Sequence, residues 1–184
     1  SLVLLTACSG MKKSVIVPEG DPWVKEVGKV GRVILDLHAK KEMPGVEVET
    51  VSVENADVVF VKKEGKLQHV IFPGSKELPD WIDNFSYDKV LFTNSTSVLV
   101  HKGFLRQYEL LRPALIERFG TLNEGETAIV CGASLGGALA TLTMNEFSDK
   151  IYLGCTFGAP KVGDSTFTEQ FRKSDRFFRV VVES

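Results

Sequence analysis

The chain has 184 residues, 43% hydrophobic and 25% charged, which suits one globular domain with a core of sheet and helix and is short for two. A formal net charge of −2, with lysine and arginine scattered rather than massed, excludes the basic footprint of a nucleic-acid binder. No apolar run reaches the roughly 18 residues that span a bilayer, and no repeat or low-complexity tract is present.

The chain begins at Ser1 with SLVLLTAC, and Leu5-Thr6-Ala7-Cys8 resembles the lipobox of bacterial lipoproteins, in which the cysteine is lipidated after an apolar leader is removed. Residues 1–20 are therefore read as an N-terminal segment, either a partial lipoprotein signal with Cys8 as the lipidated residue or a cloning remnant ahead of Met11-Lys12-Lys13. Residues 21–184 are read as the domain. Over 22–41, Trp23, Val27, Val30, Ile34, Leu35 and Leu37 stand at near-helical spacing and predict an amphipathic helix, weakened by Gly28 and Gly31. Two β-rich runs, 57–62 and 67–72, flank Lys63-Glu64-Gly65-Lys66 and predict a hairpin, with a shorter strand over 89–93. From 101 to 119 the apolar positions follow the helical period, with Pro113 expected to kink or break the helix. Strand 127–131, helix 135–147, strand 151–157, helix 165–173 and strand 177–182 complete the pattern. Strands alternating with helices predict an α/β fold: a mostly parallel sheet covered on both faces, with ligands beyond the carboxyl ends of its strands.

Gly132-Ala133-Ser134-Leu135-Gly136 falls at that end of a strand. The pattern G-x-S-x-G fits a nucleophile elbow, a tight turn that lifts a serine hydroxyl above the sheet between strand and helix. Glycines on either side are required because side chains have no room near the serine Cβ. Gly136, Gly137, Ala138 and Ala140 let the following helix lie close to the sheet, and its N-terminus favours a developing anion on Ser134. The alternative for Ser134 is an ordinary N-cap serine.

Five motifs in order carry a resemblance. CGASLGGALATL resembles the elbow of the class 3, fungal-type triacylglycerol lipases of the α/β-hydrolase superfamily. Val70-Ile71-Phe72-Pro73-Gly74-Ser75 is similar to that family's F-R-G-S strand end, and Asp80-Trp81-Ile82-Asp83 to its D-W segment. Val100-His101-Lys102-Gly103-Phe104-Leu105 resembles V-H-x-G-F-L, and the run from Thr156 to Asp164 resembles T-F-G-x-P-R-V-G-N. The resemblance implies a serine hydrolase that cleaves carboxylic esters of lipids through an acyl-enzyme on Ser134. It places the oxyanion hole at Leu135 and Ser75, and Trp81 and His101 at a lid or pocket. Two departures stand out: Ala133 where the family usually has histidine, and Pro73 where it usually has arginine.

A serine needs a base, and in α/β-hydrolases acid and then histidine follow the nucleophile. His38, His69 and His101 all precede Ser134, and Asp149, Asp164 and Asp175 do not stand where the family has its acid. The domain is thus expected to be incomplete at its C-terminus, with acid and histidine beyond Ser184, and by itself to be a very poor hydrolase. The alternative is a non-catalytic hydrolase-like module that binds lipid or a partner; a third reading is an envelope protein tethered through Cys8. The expected partner is a lipid ester, with association at a membrane or lipid interface and location in the cell envelope or outside the cell if Cys8 is a lipobox cysteine. No metal or other cofactor is expected, because no His, Cys, Asp or Glu cluster has ligand spacing. Cys131 and Cys155 are read as buried thiols.

Overall fold

The computed structural model describes residues 24–39, 43–74, 88–93, 95–172 and 176–180. Cys8, Ser75, Trp81 and the segment 1–20 lie outside the described residues, as do parts of the resemblance motifs around 75–87 and 181–182.

The first helix, α1, runs Val24–His38. Three antiparallel strands follow, β1 (Val46–Val53), β2 (Ala56–Lys63) and β3 (Lys66–Phe72), joined by two-residue turns with Val53 opposite Ala56 and Lys63 opposite Lys66. A two-stranded ribbon, β4 (Lys89–Leu91) with β5 (Leu99–His101), leads directly into α2 (Lys102–Gly120). Then come β6 (Ala128–Ala133), α3 (Leu135–Glu146), a 3₁₀ turn (Ser148–Lys150), β7 (Ile151–Phe157), α4 (Ser165–Arg172) and β8 (Phe177–Val180). The main sheet has the order β1-β2-β3-β6-β7-β8, antiparallel among the first three strands and parallel from β3 onward.

Alternation across the pleat divides the core in two. On one face Phe60, Val70, Phe72 and Val130 pack under α2 and α3 with Tyr108, Leu111, Leu115, Leu139 and Leu142. On the other, Val59, Val61, Ile71, Cys131, Leu153 and Cys155 pack under Val30 and Ile34 of α1. Near-continuous apolar runs in β6 and β7 are what a doubly covered parallel sheet requires.

The structure departs from the sequence expectations in three places. Pro113 neither ends nor interrupts α2. Its missing N–H costs one hydrogen bond, but Pro113 sits on the exposed side, and the buried stripe Phe104, Gln107, Tyr108, Leu111, Leu115, Phe119 holds the helix together across it. Strand β1 was not anticipated, although VEVETVSV carries a period-2 pattern, broken in phase at Thr50. His101, expected as the first residue of the helix, instead closes strand β5 and caps α2.

Candidate active site

Strand β6 ends in glycine and alanine, and the chain turns at Ser134 into α3. Ser134 holds φ 52° and ψ −122°, a conformation L-residues avoid, and although it occupies the N-cap position its side chain makes no capping hydrogen bond. The simple N-cap alternative therefore fails. Ser134 is half-buried, at the carboxyl end of the parallel strands.

Close packing around the turn explains the glycines. A Cβ on Gly132 would stand 2.2 Å from the Gly136 carbonyl oxygen, and one on Gly136 would stand 2.2 Å from the Phe72 carbonyl oxygen and 2.4 Å from that of Pro73. The first turn of α3 is thereby pressed against the end of β3. Gly74 completes the contact: a Cβ there would lie 3.2 Å from the Ala133 oxygen and 3.7 Å from the Ser134 Cβ. The backbone just after Phe72 thus faces the serine. Leu135 opens α3, so its amide belongs to the first-turn N–H groups that have no intrahelical acceptor. Two backbone bonds hold the elbow, from the Ser134 amide to the Phe157 oxygen (2.8 Å) and from the Gly137 amide to the Ser134 oxygen (2.9 Å).

His101 is held by local contacts. It ends β5 and caps α2, its Nδ1 accepting from the Gly103 amide at 3.1 Å while its own amide donates to the Val162 oxygen at 2.8 Å. Its ring lies 4.6 Å from that of Phe104. Burial lowers its pKa, and the Asp88 carboxylate opposes the shift. Accepting at Nδ1 puts the neutral ring's proton on Nε2.

His69 stands on β3 opposite Ile129, five residues before Ser134 in the neighbouring strand, which is roughly 16 Å of extended chain. Its Nδ1 is buried without a partner, and burial lowers its pKa. The register thus puts the His69 imidazole out of reach of Ser134. Asp164 caps α4, accepting from the Phe167 amide at 2.9 Å, and Asp149 lies in the 3₁₀ turn at the far end of α3; Asp175 lies outside the described residues. Among the described residues no three His, Cys, Asp or Glu side chains could hold a metal ion, and no helix is long and apolar enough to cross a membrane.

A cleft of about 640 Å³ lies beside the β7–α4 loop, lined by Thr141, Met144, Thr156, Phe167, Phe177 and Arg179 among others, and not by Ser134. Reading the sequence alone passed over Arg179, whose guanidinium donates to the Ala159 oxygen at 2.7 Å; no local signal marks such a contact, because it depends on the register of β7 with β8.

A mostly parallel sheet, helices on both faces and a strained serine between strand and helix define an α/β-hydrolase. A model of the family described as lipase (class 3) matches residues 69–184, well over half of the chain. The chain belongs to the class 3 lipase family. A lipase from Rhizomucor miehei is 30% identical over 114 residues, covering 55% of this chain and 31% of that protein. The secreted mono- and diacylglycerol lipase 1 of Fusarium solani is 32% identical over 102 residues, 51% of this chain and 30% of its own length. Among solved structures, a lipase from Rhizopus microsporus var. chinensis has the same fold with a TM-score of 0.67 at 18% identity, over 96% of this chain and 76% of that one. The chain spans less than a third of the length of the curated relatives it matches.

Proposed function

We propose that the protein hydrolyses carboxylic esters of lipids through an acyl-enzyme on Ser134. The observation that carries this reading is the backbone of Ser134: a strained serine, uncapped and seated against the turn after β3. Strain of this kind persists only where the surroundings over-determine it. Membership of the family supports the reaction class, and the name of the Fusarium relative supports acylglycerols as substrates.

In the proposed reaction the Ser134 oxygen attacks the ester carbonyl as a base takes its proton, and the carbonyl oxygen becomes an oxyanion. The Leu135 amide and Ser75 donate to that oxyanion, and the N-terminus of α3 adds its dipole. Collapse expels the alcohol, which takes the proton back, and water then releases the acid by the same steps. All three histidines precede Ser134, and the reading assigns base and acid, which follow the nucleophile in this superfamily, to polypeptide beyond these 184 residues. Trp81 is proposed to sit on the lid or pocket that receives the acyl chain. Envelope attachment through Cys8 or release outside the cell fits the same substrate, and mass spectrometry for a diacylglyceryl adduct on Cys8 separates the two.

Treatment of the full-length protein with a fluorophosphonate is expected to label Ser134, and Ser134→Ala to lose both label and esterase activity. A native full-length protein that resists the reagent and keeps its esterase rate with alanine at 134 would overturn the proposal. Lipid binding without labelling would favour the non-catalytic module instead.

A further inference from the structure

Strand β8 lies two strands from Ser134, yet it bonds to the turn that meets the Ser134 amide. The peptide between Phe157 and Gly158 faces both ways: its carbonyl oxygen accepts from the Ser134 amide at 2.8 Å, and its N–H donates to the Val180 oxygen at 2.9 Å. Gly158, at φ 59°, then turns the chain back toward α3. The buried methyl of Ala159 comes to rest on the first turn of that helix, 2.6 Å from where a Cβ on Gly137 would stand. The carbonyl of Ala159 takes the guanidinium of Arg179, which reaches across from β8 at 2.7 Å.

We propose that Arg179 is a positioning residue for the nucleophile, acting through Ala159 to clamp the 157–159 turn against Ser134 and the first turn of α3. This rests on the reading of Ser134 as nucleophile. A charged donor on a carbonyl is among the stronger protein hydrogen bonds, and a planar guanidinium fixes direction as well as distance. With the clamp in place the Phe157 oxygen stays under the Ser134 amide and the Ala159 methyl keeps α3 at its close approach. Without it, the Gly158–Val180 bond is left to tie the turn to β8, and the elbow gains freedom in the direction that matters for attack, where misplacement of about 1 Å can cost orders of magnitude in rate.

The test compares Arg179→Met, Arg179→Lys and Arg112→Met in the full-length protein. The last variant loosens a distant pair, since Arg112 holds Glu146 at the far end of α3 at 2.6 Å. Amide hydrogen exchange at Ser134 and Gly137 is expected to quicken roughly tenfold in Arg179→Met, less in Arg179→Lys, and only in line with any global loss of stability in Arg112→Met. Fluorophosphonate labelling of Ser134 is expected to slow roughly tenfold in Arg179→Met with no matching change in Arg112→Met. Unchanged exchange at Ser134 in Arg179→Met, or equal acceleration in Arg112→Met, overturns the clamp. Should Arg179→Met not fold, the lysine variant decides by the same readout. A wild-type protein that takes no label sinks the proposed function, while the exchange measurement still decides whether Arg179 holds the turn.

Discussion

Ser134 pays for its position in backbone energy, and its neighbours hold it there. A non-glycine residue in such a region costs on the order of 1–3 kcal/mol. The offset comes from contacts that only glycine allows, with Gly132 against Gly136 and Gly136 against the Phe72 and Pro73 carbonyls. Two outcomes follow at this scale. Replacing Ser134 by glycine relieves the strain, so Ser134→Gly is expected to be about 1 kcal/mol more stable than Ser134→Ala in urea unfolding, even though both lack the hydroxyl. Gly132→Ala is expected to lose ~3 kcal/mol, because the added methyl meets a carbonyl that cannot retreat without moving α3. Gly28 gives the contrast: nothing lies within 4 Å of a Cβ there, in the middle of α1. Gly28→Ala is therefore expected to gain ~0.5–1 kcal/mol. Equal effects at positions 28 and 132 would contradict this account of the elbow.

Elements were legible in the sequence wherever one pattern ran undisturbed. The runs ending at Phe72 and Phe157, and the helix opening at Leu135, read clearly because composition and period agreed. Strand β1 was hidden by the phase slip at Thr50 and its exposed valine, Val48, which belong to a strand at the end of the sheet order. The helix through Pro113 is legible from its period, and it runs on without a break because tertiary packing outweighs one lost hydrogen bond. Helix α2 starts from an unusual cap, since histidine is not among the preferred N-cap residues. That cap makes the element sensitive to pH. Accepting from the Gly103 amide requires the neutral ring, and a protonated ring would also place positive charge at a helix N-terminus. Burial, opposed by Asp88, lowers the folded-state pKa, so the stability it represents is complete above the unfolded value and is lost as pH falls through the folded one. His69, also lowered by burial, contributes with the same sign. Asparagine at 101 keeps an acceptor that does not titrate. Between about pH 7.5 and pH 5, the wild type is expected to lose ~1 kcal/mol more than His101→Asn in urea unfolding, with the excess appearing below the ordinary histidine pKa. Parallel pH profiles for the two proteins would remove the cap from the account.

At the scale of the whole molecule, the site was half legible. The residues of the elbow are contiguous and could be read directly, whereas Gly74 against Ser134 and Arg179 against Ala159 exist only through the parallel register of β3, β6, β7 and β8. The same register places Cys131 opposite Cys155, with Ile71 and Phe178 flanking them, beneath Val30 and Ile34 of α1. Both thiols are fully buried, and burial raises the pKa of each, so they are neither accessible nor ionised in the native state. They therefore report on the layer above them. In a Cys8→Ser background near pH 8, Cys131 and Cys155 are expected to react with Ellman's reagent only through opening, slower by orders of magnitude than an exposed thiol. Since α1 is the helix packed on this face of the sheet among the described residues, its detachment exposes less surface than global unfolding, and the labelling rate should rise with urea less steeply than equilibrium unfolding does. Ile34→Ala removes buried packing from that layer, at a cost of ~2 kcal/mol or more, and is expected to speed labelling roughly thirtyfold. If labelling instead tracks global unfolding in both slope and rate, α1 is locked to the sheet as firmly as the strands are to one another, and β6 is buried by the molecule as a whole rather than by one helix.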